Sequence, residues 1–504
     1  MFPEKRAAGI LCHISSLPGK HGIGDLGEGA DVFLNYLEAA GQHYWQILPT
    51  GPTARFFGNS PYAALSSWAG NPLFINLDLL QEMGLLSGND LRNQPEFSEY
   101  LVDFRQVSTY KLAMLAIAYQ AFHPCPPADF AVFIKKTAAW LEPYCLFQAL
   151  RAVHKGRSWD RWPAVHDHKK CGGPGCPDCR EKMAESINFH RFLQYIFHLQ
   201  WQRLRQKAHA GNIAIIGDMP YYTAFDSADT WSAPHLFQLD KRRQPIAVAG
   251  VPPDYFSATG QRWGNPLYRW FDDTGGLNQE LVVWWAARLR HTLEQVDLVR
   301  IDHFRGFDSF WSVPATEKNA IKGRWQKGPG AVFFKNLTQK NGRTAIIAED
   351  LGIITPAVEK LRKDCGFPGM KVLQFACDNN PENTHLPQNF DDPRTVVYTG
   401  THDNDTTLGW YMDPATDDSA REQLHRLTNT APGEPVHRTM LRLAFGSTAR
   451  LAIIPMQDAL GFGSDCRMNR PGTTEGNWQW RLAPRFLTPE SAAWLRDETR
   501  FYNR

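Results

Sequence analysis

Asp297-Leu-Val-Arg-Ile-Asp-His-Phe-Arg-Gly-Phe307 is the stretch on which the reading of the fold turns. Leu298, Val299 and Ile301 make a short apolar run, as a strand covered on both faces requires, and Asp302, His303 and Arg305 arrive where that run stops. The same pattern recurs. Ala345-Ile-Ile-Ala-Glu-Asp-Leu-Gly352 ends in Glu349 and Asp350, Val396-Val-Tyr-Thr-Gly-Thr-His-Asp-Asn-Asp405 ends in His402, Asp403 and Asp405, and Ile213-Ala-Ile-Ile-Gly-Asp-Met-Pro220 ends in Asp218. Short apolar strands capped by acidic residues and separated by helix-length segments predict an α/β fold, a parallel (β/α)8 barrel whose strands deliver carboxylates to one mouth. A surface ion-pair cluster is the competing reading of any one of these stretches. Their recurrence favours a shared site.

The chain opens with a strand, helix, strand unit. Gly9-Ile-Leu-Cys-His-Ile-Ser-Ser-Leu-Pro-Gly19 supplies a strand and loop, Val32, Phe33, Tyr36 and Leu37 recur at helical spacing, and His43-Tyr-Trp-Gln-Ile-Leu-Pro49 reads as a second barrel strand. Residues 80–200 are rich in leucine and alanine at helical spacing and read as a helical insertion on the barrel. Within the segment 221–290, Gly250-Val-Pro-Pro-Asp-Tyr-Phe-Ser-Ala-Thr-Gly-Gln-Arg-Trp-Gly-Asn-Pro266 is dense in turn formers and aromatics, which predicts a loop over the site. At 504 residues the expectation is one enlarged barrel carrying insertions across 1–504 rather than a string of small domains.

The balance of 54 basic against 52 acidic residues gives a formal charge of +2, which supplies no field for nucleic acid or an anionic membrane and suits a neutral partner. The N-terminus runs straight into folded-looking sequence, and no apolar stretch approaches bilayer length, so the expected location is cytoplasmic. Nine cysteines, an odd number over a long chain, argue against a disulfide framework. His166-Asp-His-Lys-Lys-Cys-Gly-Gly-Pro-Gly-Cys-Pro-Asp-Cys179 gathers thiols and imidazoles, and Cys176-Pro-Asp-Cys179 has knuckle spacing. A structural zinc held by Cys171, Cys176, Cys179 and His168, or His166 in its place, is one expectation; an exposed Gly/Pro-rich loop is the other.

Together, Arg300 to Gly306, Ala348 to Gly352 and Gly400 to Thr407 resemble the motifs of the amylomaltase or 4-α-glucanotransferase family, glycoside hydrolase family 77, and the likeness runs from Gly9 to Gly476-Asn-Trp-Gln-Trp-Arg481. The resemblance implies a (β/α)8 TIM barrel that transfers α-1,4-glucan segments between maltooligosaccharides or amylose through a covalent glycosyl-enzyme, with no cofactor for catalysis. It implies Asp302 as nucleophile, Glu349 as acid and then base, and Asp403 as a binder of sugar hydroxyls. It also places Tyr62, Asp218, Tyr255, Phe256, Gln261, Trp263, Arg300, His303, His402 and Asn469 against the glucan. An α-glucan hydrolase using the same carboxylates, and a glucan-binding protein without turnover, are the alternatives. Two departures from the family pattern stand out: Ala54-Arg-Phe-Phe57 is longer than the usual Gly-Tyr-Gly, and Phe225 replaces a common histidine.

Overall fold

Strands form at the apolar runs in the computed structural model, which describes residues 2–163, 166, 177–253, 257–341, 345–430 and 433–504. In chain order they are β1 Ala7–Leu11, β2 Tyr44–Gln46, β3 Ala214–Met219, β4 Ala247–Val251, β5 Gln261–Pro266 and β6 Leu298–Ile301. They continue as β7 Ser309–Pro314, β8 Arg324–Lys327, β9 Ile346–Ala348, β10 Gly369–Val372, β11 Thr395–Tyr398 and β12 Leu451–Pro455. Eight of them pair in the order β10-β11-β12-β1-β2-β3-β6-β9, every pairing parallel. Across the remaining seam the Ala348 N–H donates to Pro368 O at 2.9 Å. The sheet is therefore wound into the (β/α)8 barrel, and its strands carry fully buried side chains on both faces: Ile216 and Ile347 share the inner face with Arg300, while Trp45, Val299 and Val397 lie on the outer face.

Helices between the strands bury one face each against the sheet. Gln279–Gln295, which leads into β6, starts where the Asn278 side chain accepts from the Glu280 and Leu281 amides, and its apolar stripe includes Leu281, Val282, Trp285 and Leu289. Pro356–Cys365 leads into β10 and stops at Gly366, whose φ of 70° is the left-handed cap that glycine adopts without a Cβ penalty. Between β2 and β3 the chain makes a helical excursion dominated by Phe104–Phe122, Ala128–Val153 and Ala184–Ala210.

The segment read as an active-site loop is more ordered than its turn-rich sequence predicts. β4 and β5 within it join β7 and β8 in a separate antiparallel sheet of order β5-β4-β7-β8. Tyr255 and Phe256, which resemblance placed on the glucan, lie outside the described residues, as do His168, Cys171, Cys176 and the side chain of Cys179. His166 is described, and its Nδ1 lies 2.7 Å from His154 Nε2, so that imidazole already has a partner. Six cysteines among the described residues are free thiols. Among the described residues no helix is long and apolar enough to cross a membrane.

Candidate active site

The carboxylates predicted from the strand ends converge on Arg300. Asp218 on β3 and Arg300 on β6 sit in register on neighbouring parallel strands, so their side chains emerge side by side. Arg300 Nη1 donates to both Asp218 oxygens at 2.8 Å and to Asp302 Oδ1 at 3.0 Å. The Asp218 side chain is fully covered, whereas that of Asp302 keeps 30% of its surface open. Asp218 therefore faces its protein partners, and Asp302 faces the mouth. The Tyr62 hydroxyl donates to Asp218 Oδ2 at 2.7 Å, completing a buried chain from the loop after β2 to the end of β6.

Glu349 follows β9 directly. Its Oε2 accepts the His303 N–H at 2.6 Å and its Oε1 accepts the Leu351 N–H at 2.9 Å, so the backbone on either side of the site fixes both oxygens. His303 itself adopts φ 51°, a left-handed conformation that is uncommon outside glycine, at the point where the chain leaves β6 for the short helix Phe304–Phe307. Burial pushes the carboxyls of Asp302 and Glu349 above the ordinary range; Arg300 pulls both back, and the two amides also pull Glu349 back. The charge of Glu349 further opposes ionisation of Asp302. Because Arg300 is in direct contact with Asp302 and no cationic side chain among the described residues bonds Glu349, a proton shared by the pair belongs on Glu349.

Asp403 is placed by the segment after β11. Asn469 Nδ2 donates to its Oδ1 at 2.6 Å, Arg467 Nη2 donates to its backbone oxygen at 2.7 Å, and His402 Nε2 lies 3.3 Å from Oδ1. The His402 ring stacks on Tyr62 with centroids 5.0 Å apart, and Trp478 lies 5.8 Å from the same tyrosine. Burial pushes the His402 imidazole down, so it stands as a neutral ring. Asp403 keeps 47% of its side-chain surface open. On the other wall, Trp263 is 39% exposed, meets the His303 ring edge-on at 4.9 Å and donates through Nε1 to Gln261 Oε1 at 3.1 Å. The antiparallel sheet is tied to the same wall by Arg305, whose guanidinium lies 3.9 Å over the Trp325 ring.

The described site residues thus gather at one end of the barrel, carried by strands β3, β5 and β6 and by the segments that follow β2, β6, β9, β11 and β12. Sequence reasoning missed several that hold them in place: the Leu351 amide, Arg467, Trp478 and the fully buried Tyr398, which donates to Gln46 Oε1 at 2.9 Å. The run that ends at Tyr398 was visible in the sequence. Its partner across the barrel was not. Phe225 packs against Trp159 with centroids 5.1 Å apart and accepts the Trp159 Nε1–H at its backbone oxygen, so it serves as a packing residue there.

Such an arrangement can place an ionised carboxylate, a protonated carboxyl and a third acceptor around one sugar, with aromatic faces beside it. Comparison with known proteins bears on which chemistry it performs. A family model described as 4-alpha-glucanotransferase, glycoside hydrolase family 77, matches residues 12–488. The chain is 46% identical over 499 residues to a 4-alpha-glucanotransferase of Thermus thermophilus, covering 97% of each chain. It is 45% identical over 512 residues to one of Synechocystis sp., covering 99% of this chain and 98% of the relative. An amylomaltase from Streptococcus agalactiae, solved in complex with acarbose, superposes with a TM-score of 0.94 at 36% identity, covering 99% of this chain and 100% of that one. With motifs, barrel and site in agreement, the chain belongs to the 4-alpha-glucanotransferase family.

Proposed function

We propose that this 4-alpha-glucanotransferase works by double displacement at Asp302 on α-1,4-linked glucose chains. The observation that carries the reading is the direct hydrogen bond of Arg300 to Asp302, set beside a Glu349 that no cationic side chain among the described residues bonds: one carboxyl is favoured as the anion, the other as the acid. In the first half, the Glu349 proton passes to the glycosidic oxygen as the Asp302 carboxylate bonds to the anomeric carbon and the C1–O bond breaks. The fragment on the far side of that oxygen departs. In the second half, the 4-hydroxyl of an acceptor chain gives its proton to the Glu349 carboxylate and attacks the same carbon, displacing Asp302. One glycosidic bond is lost and one is made.

The remaining side chains divide by what they can reach. Asp403 and His402, with exposed carboxylate and neutral imidazole, bind hydroxyls of the donor sugar. Tyr62 and Trp263 offer ring faces to the apolar C–H surface of glucose. Asp218 and Arg300 are too deeply covered to serve the sugar and act by holding Tyr62 and Asp302. Asn469 acts through Asp403. Relatives named as glucanotransferases favour transfer over the hydrolase and binder alternatives, and the acarbose bound by the Streptococcus amylomaltase is consistent with a glucan in this mouth.

The test is to exchange Asp302→Asn and Asp302→Ala and to denature the wild-type protein rapidly during turnover of an activated maltosyl donor. Transfer should fall by at least about four orders of magnitude in both variants, and intact-mass measurement of the wild type should find protein carrying a glycosyl adduct on the peptide that contains Asp302. Substantial turnover in the variants, or an adduct elsewhere, would remove Asp302 as nucleophile.

A further inference from the structure

Asp458 lies outside the sugar-facing set, yet it holds both ends of the segment that carries His402 and Asp403. It sits in the short helix Met456–Leu460 after β12 and is 1% exposed. Its Oδ2 accepts the hydroxyl of Thr399 at 2.5 Å and that of Thr407 at 2.8 Å, while Oδ1 accepts the Thr407 N–H at 2.6 Å. Thr399 is the residue immediately after β11, and Thr407 opens the helix Thr407–Met412. Residues 400–406 run between these two anchors, and both anchors are fully buried.

Burial opposes the charge on Asp458, and the hydrogen bonds to it come from neutral donors. A buried carboxylate without a cation is a poor device for stability alone. What a carboxylate offers here is two acceptor oxygens, which draw donors from both flanks of one segment to a single point. Asparagine would keep the volume but turn an N–H₂ toward donors. The middle of the segment has fastenings of its own: Thr401 bonds Asn404 within it, Gln374 donates to Asp405 O, Ser464 donates to Asp405 Oδ2, and Arg467 and Asn469 donate to Asp403. These contacts fix its middle and leave its span to Asp458.

We propose that Asp458 is a positioning residue for transfer: by stapling Thr399 to Thr407 it sets where His402 and Asp403 stand against the donor sugar. The inference rests on the role given above to Asp403. It predicts an energetic coupling between two side chains that do not touch the substrate in the same way, and a double-mutant cycle reads that coupling.

Initial rates of maltotriose disproportionation would be measured for the wild type, Asp458→Asn, Asp403→Asn and the double variant, with thermal midpoints alongside. In the wild-type background Asp458→Asn should lower kcat by about 10- to 100-fold, with KM changed by less than about threefold, because a misplaced group weakens the transition state more than ground-state binding. In the Asp403→Asn background the same exchange should cost less than about threefold. Thr407→Val, which removes one hydroxyl donor and keeps the carboxylate, should show the same pattern at smaller size and serves if Asp458→Asn fails to fold. An equal loss in both backgrounds, or a wild-type kcat in folded Asp458→Asn and Thr407→Val, would overturn the inference. A fully active Asp403→Asn would overturn the role of Asp403 itself and this proposal with it.

Discussion

Arg300 sets the charge of the site, because one guanidinium nitrogen serves Asp218 and Asp302 together. Burial raises Asp302 against the pull of Arg300, the charge of Glu349 adds to the rise, and Glu349 is raised as well, so the pair is expected to keep one proton across neutral pH, carried by Glu349 because Arg300 bonds Asp302 directly. The rate should therefore be bell-shaped in pH. It falls on the acid side as Asp302 gains a proton and on the alkaline side as the shared proton leaves Glu349. Assayed with a glycosyl fluoride, whose leaving group needs no acid, Glu349→Gln should retain glycosylation of Asp302 and lose the alkaline limb. An alkaline limb unchanged in that variant would assign the proton elsewhere. Asp302, Glu349 and Asp403 were legible in sequence because each ends an apolar run. Asp218 was legible as a site residue but not as a covered one: its depth is decided by Tyr62 and Arg300, which come from distant parts of the chain.

At the scale of elements, the site is a set of strand ends plus two returning loops. The loop after β2 contributes Tyr62, which does two separable things: its ring stacks on His402 and its hydroxyl bonds Asp218. Tyr62→Phe should keep the stack and cost transfer only about 10-fold, while Tyr62→Ala should cost about 100-fold or more in kcat/KM. Equal losses would mean that the hydroxyl carries the whole effect. Strands whose apolar runs are long enough to register, such as β3, β6 and β11, were readable beforehand. β10, Gly369-Met-Lys-Val372, was not, since it is short, begins with glycine and carries a lysine. The antiparallel sheet was equally hidden. β5 reads Gln-Arg-Trp-Gly-Asn-Pro and β8 reads Arg-Trp-Gln-Lys, largely polar and exposed, so the pairing comes from β4 and β7 rather than from a local pattern.

Over the whole molecule, winding the sheet into a barrel places buried groups where charging them is costly. Burial pushes His13 down to about 3, with His402 adding to the effect, and His303 down to about 3, with Arg305 adding. Both are bases whose folded pKa lies below the unfolded value of about 6.5. The stability tied to their neutrality is therefore present above about pH 6.5 and is lost as pH falls from there toward about 3, the window in which the unfolded chain binds more protons. Denaturant midpoints should decline across the accessible part of that window, and His13→Gln should flatten the decline. A slope unchanged by the substitution would place the acid sensitivity in other groups.

The central claim is that a glycosyl unit held on Asp302 is delivered to another glucan rather than to water. Maltotriose incubated with the purified protein, with products resolved by chain length and reducing ends counted together, tests that claim most directly. The account predicts a ladder of shorter and longer maltooligosaccharides with a constant reducing-end count, since every bond broken is remade. Shorter sugars alone, with reducing ends rising in step, would contradict it.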